Sequence, residues 1–241
     1  MRFIRSLLLM VYFAVYTVPY ACACFIAFPF MSAEKRYWMA AYWCKSSVVV
    51  MRYLNGIRYK IEGMENLPDG PAVLLSKHQS AWETLAFPAL MPRPLCYVFK
   101  RELLFVPFFG WTMGMLKMVH IDRRQGKDAF ASVARQGRER MAEGAWVIMF
   151  PEGTRTRVGL QGKYKSGGAR FACAAGAPVV PIAHNAGHVF RVHGTGAQQF
   201  RGHSFYSGQD VRAMHEAARG LLRVFQPPVR LVPCPDAHGV G

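Results

Sequence analysis

Short apolar runs that end in polar clusters recur along the middle of the chain. Residues 71–76 follow the turn signal Pro68-Asp69-Gly70 and predict a buried strand, and residues 81–90 after them predict a helix. The same pattern predicts further strands at 57–63, 95–99, 118–121 and 145–150, and an amphipathic helix at 126–143. Strands that alternate with helices are typical of an α/β domain.

An uncharged run over residues 6–32 precedes this domain. It is long enough to span a bilayer, which needs about 20 apolar residues. Ala21-Cys22-Ala23 has the small-x-small form of a signal-peptide cleavage site, so a cleaved signal is one interpretation. A single spanning helix is a second, although Pro19 and Pro29 interrupt it.

A membrane anchor in one leaflet is the third interpretation and the one we favour. Residues 34–55 mix Tyr and Trp with Lys and Arg, a composition typical of a membrane interface. A first apolar helix would enter one leaflet and a second would return along the interface. We therefore predict a two-helix apolar anchor over residues 1–56.

Composition supports contact with lipid. Of the 241 residues, 52% are hydrophobic and only 18% charged, yet 30 basic against 14 acidic residues give a formal net charge of +16. An apolar, basic chain fits an anionic phospholipid surface better than nucleic acid, because DNA offers no use for the apolar excess. The six cysteines show no C-x2-C pair with metal spacing and are interpreted as reduced thiols facing the cytosol.

His78 and Glu83 lie where the predicted strand at 71–76 gives way to a helix. Five residues are about 140° apart on a continuous helix, so the pair would not share a helical face. Across a strand-to-helix turn, however, Glu83 can fold back and hold one ring nitrogen as N–H. The other nitrogen is then able to take a proton from a substrate hydroxyl.

Cations follow several of the predicted strands. Lys100, Arg123 and the pair Glu152/Arg155 come directly after strands, as His78 does. Ligands of open α/β sheets bind outside the strand ends, and Arg binds phosphate in a bidentate manner. A base among several cations therefore predicts a substrate that carries phosphate. The apolar residues 103–111, broken by Pro107 and Gly110, predict either a loop packed in the core or a wall for an apolar ligand.

These blocks resemble those of the glycerolipid acyltransferases, and in particular the bacterial 1-acylglycerol-3-phosphate (lysophosphatidate) acyltransferases. His78-x4-Glu83 resembles the family's first block and Phe-Pro-Glu-Gly-Thr-Arg-Thr at 150–156 its third. Residues 119–123 and 179–182 resemble the second and fourth blocks. The resemblance covers residues 57–187 and implies a mixed, mostly parallel sheet flanked by helices.

The resemblance implies transfer of a fatty acyl group from acyl carrier protein or coenzyme A to lysophosphatidate, without a metal or cofactor. His78 would be the base and Glu83 its orienting acid, and Lys100 would support the oxyanion. The expected phosphate-binding residues are Arg123, Glu152, Gly153, Thr154 and Arg155. Glu152 is expected to pair with an Arg. The implied location is the cytoplasmic face of a bacterial inner membrane.

The chain departs from the family pattern at two places. Glu83 stands where the family usually has Asp, and the longer carboxylate still reaches the imidazole. After Lys165 there is no lysine, and five of the eight histidines lie from His188 onward. We therefore expect a divergent, poorly ordered tail over 188–241, helical only at 209–225, where the family would supply a further strand and a closing helix.

Two other functions remain open. The enzyme could acylate glycerol-3-phosphate or a lyso-aminolipid instead. From another class, the chain could be a basic membrane-surface protein without catalysis, although liposome binding needs neither the His-x4-Glu turn nor the 150–156 block. No motif of a nucleic-acid-binding module is present.

Overall fold

The computed structural model describes residues 2–157, 160, 162–184, 186–188 and 229–232. They divide into two compact units. The first comprises everything described up to Ile57 together with Gly70–Ala72 and Thr84–Ile148, and the second comprises Arg58–Asp69, Val73–Glu83 and everything described from Met149 onward. The α-helices are α1 (Arg2–Ala27), α2 (Ala33–Asn55), α3 (Trp82–Leu90), α4 (Phe109–Met115), α5 (Lys127–Ala142) and α6 (Gly167–Ala175). The strands are β1 (Lys60–Glu62), β2 (Val73–Ser76), β3 (Leu95–Lys100), β4 (Val119–Ile121), β5 (Trp146–Met149), β6 (Val179–His184) and β7 (Val229–Val232).

The first unit contains a parallel arrangement with β3 between β5 and β4. Leu95 lies opposite Trp146 on one side, and Lys100 lies opposite Ile121 on the other. Helix α5 packs against β3 and β4. Trp146 is fully buried, and its indole N–H donates to the Gly70 carbonyl at 2.8 Å, so the largest core side chain leaves no unpaired donor.

Helices α1 and α2 pack against each other through polar as well as aromatic contacts. The Tyr20 hydroxyl donates to the Met39 carbonyl at 2.7 Å, and the Trp43 indole donates to the Thr17 hydroxyl at 3.3 Å. Helix α2 begins after the N-cap Ser32 and ends at Gly56, whose φ of 70° suits a left-handed C-cap.

The predicted pair of apolar helices is corrected to one. Among the described residues, only α1 and the turn after it (residues 3–30) are long and apolar enough to cross a membrane. Helix α2 contains charged residues throughout and buries a stripe spaced three or four residues apart. That stripe consists of Tyr37, Ala41, Cys44, Ser47, Val48 and Met51. The spacing is that of a helix packed on protein along one face.

Residues 103–111 form a folded, exposed structure, and we refer to them as the apolar segment. They run from a 3₁₀ turn (Arg101–Phe105) into α4. Gly110 N–H donates to the Val106 carbonyl at 2.8 Å, and Thr112 N–H donates to the Phe108 carbonyl at 2.9 Å. Of the two alternatives for this stretch, a loop packed in the core is wrong, because most of its large side chains are exposed.

The second unit contains a mixed sheet in the order β1-β7-β6-β2. Strands β2, β6 and β7 are parallel, and β1 is antiparallel to β7. Val73 lies opposite Val179 and Ser76 opposite Ile182, and the apolar side chains of β2 and β6 are buried. Across both units the expected α/β class with mostly parallel strands is confirmed, and FPEGTRT and His-x4-Glu belong to the second unit.

Most of the predicted tail lies outside the described residues. The exception is β7, which pairs with both β6 and β1 and supplies the further strand that the resemblance implied. The expected helix at 209–225 and the expected disorder of the tail lie outside the described residues.

Candidate active site

His78 and Glu83 meet across the turn that follows β2. His78 Nδ1 lies 3.0 Å from Glu83 Oε1. The side chain of Glu83 is fully buried, whereas that of His78 is 17% exposed. Because a carboxylate only accepts, Nδ1 carries the proton, and Nε2 presents its lone pair. No described residue makes a hydrogen bond to Nε2.

Glu83 is held by the backbone of its own turn. Its Oε1 accepts from the N–H groups of Gln79 at 2.7 Å and Ser80 at 2.6 Å, and its Oε2 accepts from the Ser80 hydroxyl. Burial opposes ionisation, but the hydrogen bond from His78 and the hydrogen bonds from Ser80 lower the pKa of Glu83 to about 2. The carboxylate is therefore ionised at neutral pH.

His78 is also held by Phe150 and Glu152, which follow it by more than 70 residues in the chain. The Phe150 ring stacks on the imidazole, with centroids 4.2 Å apart and planes inclined by 19°. Glu152 Oε2 accepts from the His78 backbone N–H at 3.3 Å, and Thr156 N–H donates to the His78 carbonyl at 2.8 Å. The 150–156 block thus binds the backbone of His78 on both sides of the residue.

Glu152 faces inward. Its carboxylate also accepts from the Gly162 N–H at 3.3 Å and the Thr156 hydroxyl at 3.1 Å, and the Lys77 ammonium lies 3.8 Å away. Lys77 and Glu152 are both nearly fully buried. The expected pairing of Glu152 with an Arg is therefore wrong: its cationic neighbour is Lys77.

A second histidine, His184, is buried and contacts the backbone of the turn that carries His78. His184 Nε2 lies 2.7 Å from the Lys77 carbonyl, and the Ala186 N–H donates to His184 Nδ1 at 3.2 Å. These partners assign the neutral tautomer with the proton on Nε2. Burial also lowers the pKa of His184, which favours the same neutral form.

The outer surface of the block is formed by Gly153, Thr154 and Arg155. Thr154 and Arg155 are exposed, and no ion-pair partner of Arg155 is found among the described residues. Gly153 has a φ of 70°, and the Lys165 ammonium lies 3.0 Å from the place where a side chain on Gly153 would begin. A side chain at position 153 would thus be strained and would displace Lys165.

Lys100 and Arg123 belong to the first unit. Lys100 ends β3, and Arg123 begins the 3₁₀ turn after β4, so the parallel pairing brings both to the same edge of that sheet. Both are exposed. Asp122, between β4 and Arg123, pairs with Arg101 at 2.7 Å.

Four residues of this site were given no role by the sequence prediction. Phe150 belongs to the predicted 150–156 block, and Lys77 and Ser80 lie within two residues of His78; this adjacency is the only signal that the sequence offers. His184 follows an apolar run and gives no signal, because a histidine at a strand end is common and its partner in the turn, Lys77, is more than 100 residues away.

The profile of the family described as Acyltransferase matches residues 58–185 of the chain. The chain is 50% identical over 164 residues to 1-acyl-sn-glycerol-3-phosphate acyltransferase of Pseudomonas aeruginosa, covering 68% of this chain and 63% of that protein. It is 32% identical over 133 residues to 1-acyl-sn-glycerol-3-phosphate acyltransferase alpha of Homo sapiens, covering 55% and 47%. The chain thus spans less than two thirds of the length of these relatives.

A solved structure shows the same fold. The chain is similar to the crystal structure of the 1-acyl-sn-glycerophosphate (LPA) acyltransferase PlsC of Thermotoga maritima, with a TM-score of 0.61 and 22% sequence identity. The alignment covers 97% of this chain and 86% of that one.

Proposed function

The chain belongs to the acyltransferase family, and on that premise we propose that it transfers a fatty acyl group to the sn-2 hydroxyl of 1-acylglycerol-3-phosphate, forming phosphatidate. The geometry of His78 carries the proposal. A base with its proton fixed on Nδ1 and its Nε2 lone pair open suits a substrate that supplies its own hydroxyl nucleophile. The donor is a thioester on acyl carrier protein or coenzyme A.

The transfer needs no covalent acyl-enzyme. His78 Nε2 takes the hydroxyl proton while the oxygen attacks the thioester carbonyl, and Glu83 stabilises the imidazolium that forms. The tetrahedral intermediate collapses and expels the thiolate, which receives the proton from Nε2. No metal or cofactor enters this scheme.

We assign the exposed face of the 150–156 block to the acceptor phosphate. Arg155 is a cation that faces solvent, and Thr154 offers a hydroxyl. The Gly153 N–H already donates to the Phe150 carbonyl at 2.9 Å, so the proposed contribution of Gly153 is the left-handed turn, with a φ of 70°, that presents its two neighbours. We do not assign Glu152 to the phosphate. Its buried carboxylate already accepts three hydrogen bonds and pairs with the Lys77 ammonium, and its negative charge would repel an anion. Its proposed role is to position His78. We retain Lys100 as the proposed support of the oxyanion and Arg123 as a proposed ligand of the phosphate.

We propose that α1 anchors the chain to the cytoplasmic face of a bacterial inner membrane, where its lipid acceptor is found. Most of α1 is exposed although it is apolar. Cys22, Cys24, Cys44 and Cys96 are free thiols, which suits a reducing compartment.

The test of this function is acyl transfer by the purified full chain with a labelled thioester and a panel of acceptors. His78→Ala is expected to lower turnover roughly 100- to 10,000-fold, because general base catalysis contributes that much. The variant should keep the unfolding temperature and the membrane association of the wild type. Substantial residual turnover would remove His78 as the base, and faster turnover of glycerol-3-phosphate would reassign the acceptor.

Arg155→Ala tests the phosphate assignment. Loss of a charge-assisted contact should raise KM for lysophosphatidate about tenfold with little change in kcat. Lys163→Ala is the matched control, since Lys163 is another exposed cation close in the chain. A change confined to KM for the acyl donor contradicts the assignment.

A further inference from the structure

The apolar segment exposes six large hydrophobic side chains within nine residues. They are Leu103 (37% exposed), Phe105 (75%), Val106 (42%), Phe108 (61%), Phe109 (49%) and Trp111 (53%). Single exposed apolar residues are ordinary on protein surfaces, but a contiguous cluster marks a surface that binds something.

The exposure is built into the fold. A side chain at Gly110 would lie 2.2 Å from the Leu104 carbonyl oxygen and 2.4 Å from that of Leu103, so α4 approaches the preceding 3₁₀ turn as closely as only glycine permits. Phe108 has a φ of 61°, an unfavourable value for an aromatic residue. The segment is thus held in a costly conformation that presents its rings outward.

The apolar segment is continuous with α1. The Phe25 ring lies 6.1 Å from that of Phe108 and 6.2 Å from that of Trp111. Helix α1 is itself largely exposed along its apolar length. Lys100 and Arg101 precede the segment, and no acidic residue occurs between Glu102 and Asp122.

We propose that the apolar segment is a second lipid-contacting surface, which lies beside the Phe25 end of α1 at the boundary between headgroups and acyl chains of an anionic phospholipid bilayer. Aromatic rings beside cations are the composition of such a boundary. A second copy of the chain is a poorer occupant, because two chains of net charge +16 repel each other. This proposal depends on one part of the proposed function, the anchoring of α1 in a bilayer, and not on acyl transfer.

Photocrosslinking in vesicles identifies what covers the segment. The full chain is reconstituted into phosphatidylglycerol–phosphatidylethanolamine vesicles with p-benzoylphenylalanine in place of Phe105. The same label in place of Phe3 reports lipid contact by α1, and in place of Arg135, on the charged face of α5, reports water. We expect phospholipid adducts at 105 and 3 but not at 135. Absence of an adduct at 105, or a crosslinked dimer, would overturn the proposal.

A binding measurement complements the crosslink. Phe105→Ser combined with Phe109→Ser should weaken partition into these vesicles about tenfold, because apolar area is withdrawn from lipid. Arg135→Ser removes one of the 30 basic residues at a position away from the apolar segment and should weaken partition far less than the double variant. Transfer to a short-chain, water-soluble lysophosphatidate should persist in the double variant. Unchanged partition rejects the surface, whereas absent transfer in the wild type rejects the proposed function.

Discussion

Glu83 combines a fully buried side chain with a retained negative charge, and this makes it the most informative residue to alter. Glu83→Gln preserves the length of the side chain and an oxygen that accepts from His78 Nδ1, but it removes the charge that stabilises the imidazolium. We expect kcat to fall on the order of 100-fold or more while KM for both substrates changes little. Steady-state kinetics on the purified chain measure this, and a kcat within about twofold of the wild type would contradict the role.

Glu83→Asp tests whether catalysis depends on the length of the acidic side chain in this turn. Aspartate retains the charge but withdraws the carboxylate by one methylene from three donors, the His78 ring and the Gln79 and Ser80 N–H groups. Its kcat is therefore expected to lie between those of the wild type and Glu83→Gln. An activity equal to the wild type would show that the turn adapts to either acid.

The low pKa of Glu83 also predicts how stability depends on pH. The folded-state pKa is about 2 and the ordinary value 4.5, so the unfolded chain binds the extra proton between these values. The stabilisation is complete above about pH 4.5 and is lost as pH falls toward 2, amounting to roughly 3 kcal/mol. Unfolding in detergent at a series of pH values measures it, and Glu83→Gln should flatten the slope over this range.

At the residue scale, the sequence predicted the members of the site better than their partners. His78 and Glu83 are five residues apart, so the turn between them restricts where each can lie. Glu152 was expected to pair with an Arg. In the structure the loop turns Glu152 inward to Lys77 and the His78 backbone, 74 residues away. Contacts of that separation depend on the path of the whole chain.

At the scale of elements, α4 offers a test with its own control. Gly110→Ala places a methyl group against two backbone carbonyl oxygens, which can move only with the 3₁₀ turn. We expect a loss of stability of about 1–3 kcal/mol, the usual cost of overpacking. Gly114→Ala, in the same helix, has its nearest neighbour at 3.9 Å and should gain about 0.5–1 kcal/mol. Chemical denaturation in detergent measures both, and equal effects would contradict the close approach.

The predicted elements were correct where the apolar pattern was unbroken. Strands β2, β3, β4 and β5 and helix α5 begin and end within about two residues of the predicted bounds. Helix α4 was missed because a stretch that contains Pro107, Gly110 and Gly114 has the composition of a loop. In the structure Gly110 is part of the helix and is required by its close approach to the preceding 3₁₀ turn. Helix α2 was predicted as the second helix of an apolar anchor because its rings and cations resemble a membrane interface. The structure shows a helix that buries one stripe on protein and that is not apolar enough to cross a membrane.

At the scale of the whole molecule, apolar exposure and positive charge make separable contributions to membrane association. Charge attraction is screened by salt, since the Debye length falls from about 10 Å at 0.1 M to about 3 Å at 1 M. Apolar insertion of α1 is not screened. The 30 basic residues should therefore make binding to anionic vesicles salt-dependent, whereas α1 should keep part of the binding at any salt concentration.

Extraction of membranes that carry the full chain tests this division. We expect the chain to stay in the membrane pellet after washes with 1 M salt or alkaline carbonate and to leave it only in detergent, because α1 is long and apolar enough to place about 20 residues in lipid. Binding to vesicles of neutral lipid should be weaker than to anionic vesicles at low salt and similar at 1 M salt. Release by salt alone would make the association electrostatic and remove α1 as the anchor. Release by carbonate but not by salt would place α1 at the surface of the bilayer rather than within it.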